Sequence, residues 1–407
     1  MKLKLTILII DILQFFGLYP DNTKVYYQGE RTMKSFESHP IAHHFGNIKD
    51  PRSSNKRHNL SDIIVITISA VIAGAESWEN IEEFGKAKND WLSGVLELPH
   101  GIPSHDTISR VFAMIDPAEF RESFAGWIQA VSDIALGEVV PIDGKTLRRS
   151  YDKDSDKAAI HMVSAWASAN GIVLGQVKTD AKSNEITAIP ELLNMLKING
   201  CIITIDAMGC QKKIAEKIAD KDADYILALK ENQKNLHDDV ELFFQENSKN
   251  DFKEIDSDYY ETVNGEHGRI EVRKYRTTSD IDWLCGKECW KNIQSIAMVE
   301  RERHIGDAVS GETSYYISSL ASDAEMIGGA VRKHQGIENS LHWVLDVTFR
   351  EDDCRIRKGN SPENFAVLRH IALNLLKKEK SKISVKAKRL KSAWDNDYLA
   401  KVMGLPT

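Results

Sequence analysis

Two aspartates follow apolar, strand-like segments at separate places in the chain. Asp143 ends the segment 139–142, and Asp206 ends the segment 201–205. In open α/β sheets, ligands bind at the carboxyl ends of the strands. If the two strands are neighbours, the carboxylates of Asp143 and Asp206 lie within reach of one metal ion. Hard divalent cations such as Mg2+ prefer oxygen ligands and keep several waters, so a few carboxylates suffice. The pair therefore indicates a candidate metal site.

A third acid lies in a segment with helical periodicity, which predicts a helix over about 324–345. On such a helix Glu338, His342 and Asp346 follow one another at intervals of four residues and share one polar stripe. Three carboxylates that hold two metal ions about 3.5 to 4 Å apart activate water or a hydroxyl in phosphodiester chemistry. Each acid also has an ordinary structural interpretation, as a turn residue, a strand cap or part of a solvated helix face.

The elements around the first two acids predict a mixed α/β sheet. A strand ends at Asp143, and two alternating segments joined through Asn170-Gly171 follow it, which is a strong hairpin signal. Next come a helix over 183–196, the strand that ends at Asp206, a helix over 211–219 and a strand over 225–229. This order predicts an antiparallel meander followed by strands with helical crossovers.

The rest of the chain predicts further domains. Residues 33–136 show helical periodicity, for which a helix-turn-helix and a plain helical bundle are both compatible interpretations. Residues 137–376 form the expected catalytic domain, with a strand-rich insertion at about 235–325. Residues 1–32 are interpreted as a non-core extension, since Met33 opens a conventional start. Residues 377–407 are expected to be a basic tail, because 377–391 carries eight basic residues against one acid.

Composition excludes several classes of protein. The 407 residues are 42% hydrophobic and 28% charged, which is typical of globular domains rather than collagen or disordered chains. The net charge of −7 excludes a uniformly basic nucleic-acid coat, so polyanion binding requires local patches. Five cysteines favour a reducing compartment, the cytoplasm, and the apolar N-terminal stretch is too short to span a bilayer. We therefore expect no membrane association.

Four longer motifs carry a resemblance to a known family. They are IDGKTLR at 142–148, KSNEITAIP at 182–190, TIDAMGCQ at 204–211 and IENSLHWVLDV at 337–347. With these motifs the chain, from about Met33 to its C-terminus, resembles the H-repeat-associated proteins, which are DDE transposases of bacterial insertion sequences. The resemblance implies an RNase-H-like catalytic domain flanked by helices, which agrees with the predicted order of strands and helices.

The same resemblance implies roles for the acids and the partners of the protein. Asp143, Asp206 and Glu338 would be the acidic triad that holds two Mg2+ ions, with Mn2+ as a substitute. An endonuclease of this kind nicks donor DNA and then uses the freed 3′-hydroxyl to attack target DNA. Transposon ends and target DNA are the implied partners, and a homo-oligomer on DNA is expected. The expected location is the cytoplasm, in association with the nucleoid.

This chain departs from the pattern of related DDE enzymes. Those enzymes often place Tyr and Arg before the glutamate and Lys after it, where this chain has Val331, His334 and Leu345. Other side chains are therefore candidates for phosphate contacts, although solvated surface charge explains them equally well. The candidate DNA-binding residues are Lys145, Arg148, Arg149, Lys212, His334, His342, Lys386, Lys388 and Arg389.

Two alternatives to a working transposase stay open at this point. A catalytically inactive or domesticated protein of the same fold would bind DNA without nicking it. A phosphodiesterase that acts on small substrates would share the acids, but the basic C-terminal segment disfavours it. Metal-dependent cleavage of the element's own ends separates the first alternative from a transposase, and salt-dependent binding to duplex DNA argues against the second.

Overall fold

The structure, a computed structural model, divides into two compact units. One consists of residues 1–130 together with 346–407, and the other of residues 131–345. The described residues are 40–54, 56–132, 134–151, 158–179, 185–266 and 268–405. The expected extension at 1–32 lies outside them. Within these ranges, no helix is both long enough and apolar enough to cross a membrane.

The unit formed by residues 131–345 is built on a nine-stranded mixed sheet, with strand order β3-β2-β1-β4-β5-β9-β8-β7-β6. The strands are β1 (Val139–Thr146), β2 (His161–Ala167), β3 (Ile172–Thr179), β4 (Ile202–Ile205), β5 (Asp224–Leu229), β6 (Asp258–Glu266), β7 (Arg269–Thr278), β8 (Ser295–Ile305) and β9 (Ala308–Ser318).

The first five strands have the RNase-H-like arrangement. Strands β1 to β3 form an antiparallel meander, and β4 and β5 run parallel to β1. The β2–β3 hairpin turns at Gly171, whose φ of +66° is a conformation that glycine adopts without strain. Helices Glu185–Met195 and Lys212–Ala219 make the crossovers that parallel strands require. The predicted RNase-H-like mixed sheet flanked by helices is confirmed.

The insertion continues the same sheet. Helix Lys234–Ser248 precedes strands β6 to β9, which pair antiparallel with their neighbours, and β9 joins the sheet by pairing antiparallel with β5. Strands β7, β8 and β9 overlap three strand-like segments that the sequence shows at 270–276, 293–299 and 314–317. The sequence did not reveal β6, because its polar residues and Gly265 hide the period-two pattern.

A helix that packs on the sheet carries the third acid. Helix Ala324–Ile337 begins at Asp323, whose side chain accepts a hydrogen bond from the Met326 amide at 2.8 Å. Its apolar face contributes Ile327 and Val331 to the core on the sheet. The chain then makes a π-helical turn at Glu338–His342 before helix Trp343–Phe349. The expected continuous helix over 324–345 is therefore interrupted, and the wider turn shifts the residues after it around the axis.

The other unit is helical throughout its described residues. Its central helix, Ser361–Lys378, is buried from Ser361 to Leu376, including polar residues such as Arg369 and Asn374. It packs against Leu60–Ile72, which is apolar nearly all round. Residues 346–407 thus share a compact unit with the N-terminal helices. The remaining helices of this unit are Pro40–Phe45, Trp78–Ala87, Asn89–Ser93, His105–Met114, Pro117–Val131, Val385–Trp394 and Asn396–Met403.

The segment expected to be a basic tail is folded. Lys388 and Arg389 are each only 5% exposed. The Lys388 ammonium donates a hydrogen bond to the carbonyl of Leu376 at 2.9 Å and lies 3.4 Å from a carboxylate oxygen of Glu379. The Arg389 guanidinium donates to the carbonyl of Val71 at 3.0 Å. The expectation that these two residues contact DNA phosphates is therefore wrong, because internal acceptors already hold both charges.

Candidate active site

Two neighbouring parallel strands bring the first two acids side by side. In the β1–β4 ladder Ile142 is paired with Ile205, and Asp143 and Asp206 are the residues that follow each. Adjacent strands lie roughly 4.8 Å apart, so the two carboxylates leave the same edge of the parallel pair as neighbours. Both residues are partly buried. The parallel pairing ends at Ile142 and Ile205, but β1 continues past Asp143 to Thr146 in its pairing with β2, so the expected strand end at Asp143 is wrong.

Backbone amides hold one oxygen of each aspartate. Asp143 Oδ1 accepts from the Gly144 amide at 2.9 Å, and Asp206 Oδ1 accepts from the Gly209 amide at 3.3 Å. Asp206 thereby caps the short 3-10 turn Ala207–Gly209. A Cβ at Gly209 would lie 2.2 Å from Cγ2 of Ile205, so only glycine lets this turn pack so closely on the strand. These contacts fix where both carboxylates point.

The π-helical turn brings Glu338 and His342 to Asp143. The potential ligand atoms of these three residues all lie within 4.8 Å of one another. His342 Nε2 is 3.1 Å from Oδ2 of Asp143, and the imidazole is only 4% exposed, whereas Glu338 is exposed to solvent. His342 Nδ1 has no hydrogen-bond partner in the described part of the chain. Two carboxylates and an imidazole from distant segments therefore converge at one point.

The electrostatics of the two aspartates differ. Burial alone would raise the pKa of Asp143, but the hydrogen bond with His342 and the charges of His342 and His334 lower that pKa below its usual range. Burial raises the pKa of Asp206, and the negative charges of Glu185 and Asp143 add to the increase. Asp206 thus sits among like charges, which a bound cation would offset.

The donor set fits a divalent metal ion. Carboxylate oxygens are the ligands that Mg2+ and Mn2+ prefer, and an imidazole nitrogen suits Mn2+ as well. Asp143, Asp206 and Glu338 could supply oxygen ligands, and His342 could either bind a metal or orient Asp143 through their hydrogen bond. Burial and the neighbouring negative charges, which together raise the pKa of Asp206, would also favour a bound cation beside it.

The sequence-predicted basic residues are distributed unevenly. Arg148 and Arg149 are exposed just after β1, Lys145 is partly buried on β1, and Lys212 is exposed at the start of the helix that follows Asp206. Lys386 is exposed but belongs to the other unit.

The two histidines among these candidates turn inward. Thr204 Oγ1 lies 3.0 Å from His334 Nδ1, and burial lowers the pKa of this histidine. His342 is buried against Asp143, so it contacts an acid of the site rather than solvent. Both histidines therefore lie beside the acids of the site.

Sequence reasoning assigned no role to Glu185 or His161. Glu185 begins helix Glu185–Met195, and its Oε1 is 2.7 Å from Nε2 of His161 on β2. The pair lies directly against the backbone at Gly144. A glycine inside a strand often marks a close approach of another group, so Gly144 was the available signal.

Comparisons with known proteins now define the class. A family model described as "Transposase DDE domain" matches residues 135–375, and a model described as "DDE_Tnp_1-associated" matches residues 42–128. The strand order and the acids at the strand ends agree with this match. The chain belongs to the DDE transposase family.

Full-length relatives define the branch of that family. "Putative transposase YncI" of Escherichia coli O157:H7 is 46% identical over 362 residues, which are 88% of this chain and 92% of the relative. "H repeat-associated putative transposase YhhI" of Escherichia coli (strain K12) is 44% identical over 370 residues, 89% and 97% of the two chains. The resemblance to H-repeat-associated transposases is confirmed.

A solved structure also matches, at a lower level. It is described as a piggyBac transposase synaptic complex with hairpin DNA, and it superposes with a TM-score of 0.39 and 12% identity. The match covers 98% of this chain and 82% of that chain. Similarity at this level is too low to support a conclusion about fold or function. The RNase-H-like fold is assigned from the strand order of the sheet.

Proposed function

We propose that this transposase cleaves DNA at the ends of an insertion sequence and joins the freed ends to target DNA, in reactions that require divalent metal ions. One observation carries the proposal. Asp143 and Glu338 are far apart in the sequence, yet their carboxylates and the imidazole of His342 lie within 4.8 Å of one another, beside the strand that ends in Asp206. Acids gathered in this way are what phosphodiester chemistry with metal ions needs.

Asp143, Asp206 and Glu338 would hold two Mg2+ ions, with Mn2+ as a substitute. When bound, such ions activate a water or hydroxyl for attack and stabilise the leaving oxygen of the phosphodiester. The protein's own contribution is orientation. Asp143 accepts hydrogen bonds at both oxygens, from Gly144 and from His342, so its carboxylate cannot rotate freely. The Gly209 amide holds Asp206 in the same way.

The basic residues beside the acids support a role in DNA binding. Arg148 and Arg149 follow Asp143 along the chain, and Lys212 follows Asp206. Exposed cations next to carboxylates that act on a phosphodiester would contact the neighbouring phosphates, which position DNA without reading its sequence. Because the net charge is −7, such local groups must supply the affinity for a polyanion. Lys145 on β1 belongs to the same group, and we propose separately that Lys386, in the other unit, contacts a DNA phosphate.

The family supports the setting of this activity. DDE transposases act on paired DNA ends, so we propose a homo-oligomer assembled on the transposon ends, in the cytoplasm and associated with the nucleoid. Relatives with transposase names that match over most of their length support an insertion-sequence origin.

Cleavage of the element's own ends tests the proposed function. The full chain is incubated with a labelled duplex that carries an end and its flank, with Mg2+, with Mn2+ and with a chelator. We expect nicks at the end with either metal and none with the chelator. Specific binding of the end without nicking in either metal would contradict cleavage and would favour an inactive DNA-binding protein.

A further inference from the structure

A glutamate–histidine pair lies on the backbone of the strand that carries Asp143. His161 Nε2 is 2.7 Å from Oε1 of Glu185, and a Cβ built at Gly144 would lie 2.0 Å from that oxygen and 2.3 Å from that nitrogen. The φ of Gly144 is not in the left-handed region, so the backbone there would accept any residue. Glycine is required at this position because the pair occupies the space of a side chain.

We propose that Glu185 is a fourth carboxylate of the metal centre, and that His161 is a positioning residue that holds Glu185 there. The proposal rests on the metal-dependent function proposed above and extends its ligand set beyond the acidic triad. Glu185 would contribute an oxygen beside the backbone of Gly144, the residue after Asp143.

The contact with Gly144 places Glu185 beside the acidic site. Gly144 directly follows Asp143 on β1, and the carboxylate of Glu185 occupies the space that a Gly144 side chain would take. An acid that served only to begin helix Glu185–Met195 would be stabilised by the helix dipole without this proximity.

The hydrogen bonds of the pair leave one carboxylate oxygen for a cation. Thr146 Oγ1 lies 2.8 Å from His161 Nδ1, and His161 Nε2 faces Oε1 of Glu185. The imidazole is thus fixed at both nitrogens, which sets its orientation. Within the described residues, Oε2 of Glu185 has no hydrogen-bond partner. A histidine that binds one oxygen and orients the other is a frequent support for a metal-binding carboxylate.

Binding of Mn2+ to the full chain, measured by calorimetric titration without DNA, tests the proposal. We expect Glu185→Gln to weaken the tightest Mn2+ binding at least about tenfold, and His161→Ala to weaken it by about the same factor. Glu216→Gln is the matched control, since Glu216 is an exposed acid on the Lys212–Ala219 helix. It should bind Mn2+ within about twofold of the wild type, as expected for a remote, screened charge. Wild-type affinity in Glu185→Gln would overturn the proposal.

A double-mutant cycle of Gly144 and Glu185 tests the proposal even if His161→Ala does not fold. Gly144→Ala should weaken Mn2+ binding because its Cβ displaces Glu185. In a Glu185→Ala background there is no carboxylate to displace. Gly144→Ala should therefore weaken Mn2+ binding by less than about a further twofold. If the losses of Mn2+ affinity caused by Gly144→Ala and Glu185→Ala multiply in the double variant, the alanine at position 144 acts on Asp143 directly. That result would overturn the role of Glu185. Circular dichroism of each variant verifies the fold.

The outcomes separate this inference from the proposed function. Mn2+ binding that depends on Glu185 in a chain that never nicks DNA supports the inference and contradicts the function. Metal-dependent nicking with unchanged Mn2+ affinity in Glu185→Gln supports the function and overturns the inference. A wild-type chain that binds no Mn2+ at all would overturn both.

Discussion

His342 Nε2 donates a hydrogen bond to Oδ2 of Asp143 at 3.1 Å, which ties the π-helical turn to the first strand of the sheet. The contact places the turn that carries Glu338 beside the strand ends. It also helps to lower the pKa of Asp143 despite burial, which keeps this carboxylate ionised at neutral pH. A π-helical turn widens the helix by one residue and is frequent at functional sites. Here the π-helical turn carries both Glu338 and His342, the histidine that is hydrogen-bonded to Asp143.

We expect His342→Ala to weaken Mn2+ binding by about 10- to 100-fold, because Asp143 loses the group that orients it. Calorimetric titration of the full chain measures the effect. The matched control is His304→Ala, which removes a partly exposed histidine of β8 and should leave the affinity unchanged. Equal affinities in the wild type and in folded His342→Ala would show that the hydrogen bond does not support the site.

Two adjacent glycines of helix Ala324–Ile337 should respond in opposite ways to alanine. A Cβ at Gly328 would lie 2.7 Å from ring atoms of Tyr275, so Gly328→Ala should destabilise by about 1 to 3 kcal/mol through overpacking. A Cβ at Gly329 meets nothing within 4 Å, so Gly329→Ala should stabilise by about 0.5 to 1 kcal/mol through helix propensity. Urea unfolding measures both. Equal changes in the free energy of unfolding for Gly328→Ala and Gly329→Ala would contradict the packing of this helix on β7.

A buried carboxylate in the helical unit should make stability depend on acid pH. Burial opposes the ionisation of Glu379, but hydrogen bonds from Ser381, Lys401 and Tyr398 hold the pKa of this carboxyl far below its usual range. Because the folded pKa lies below the unfolded value of about 4.3, the stabilisation is complete above that pH. It is lost as the pH falls towards the folded pKa. Thermal melts between pH 7 and pH 3 should therefore show a falling Tm.

Glu379→Gln should remove that part of the pH dependence and destabilise the protein by about 3 kcal/mol at pH 7, since it leaves the buried ammonium of Lys388 without its anion. Glu83→Gln serves as the control, because the Glu83 side chain is 71% exposed in the same unit. A pH profile of Glu379→Gln that matches the wild type would show that another group controls acid stability.

The basic residues of helix Val385–Trp394 should separate into two kinds. Arg389→Met removes buried hydrogen bonds to carbonyls, so it should lower stability by about 1 to 3 kcal/mol. In the folded fraction, DNA affinity should not change. Lys386→Ala should leave stability unchanged and should reduce the slope of log affinity against log salt by about one, because it removes a phosphate contact. A lower salt slope in folded Arg389→Met would contradict its structural role.

The sequence predicted the parts of the fold that depend on local patterns. The hairpin at Gly171, the strand that carries Asp143 and the strand that precedes Asp206 follow from alternation and turn chemistry, although β1 continues beyond Asp143. The continuation of the sheet through β9 depends on long-range pairing with β5, which no local pattern encodes. The grouping of helix Ser361–Lys378 with Leu60–Ile72 likewise depends on the tertiary contacts that bury both.

The site shows the same division. The three acids could be proposed from strand ends and motifs. The π-helical turn could not, since a shift by one residue leaves the helical pattern almost intact. The proximity of Glu185 and His161 to Gly144 required coordinates. The charges of Lys388 and Arg389 were misleading, because a sequence shows charge but does not show the carbonyl and carboxylate acceptors that bury it.

Nicking of the element's own end in Mg2+ by Asp143→Asn, Asp206→Asn and Glu338→Gln tests the central claim most directly, with Glu216→Gln as the control and DNA affinity measured in parallel. Each of the three changes keeps the side-chain shape and removes one negative charge from the centre. We predict at least about a hundredfold loss of nicking in all three, with affinity for DNA within about threefold of the wild type and control. Nicking at a near wild-type rate by any one of the three folded variants would contradict its place in the metal centre.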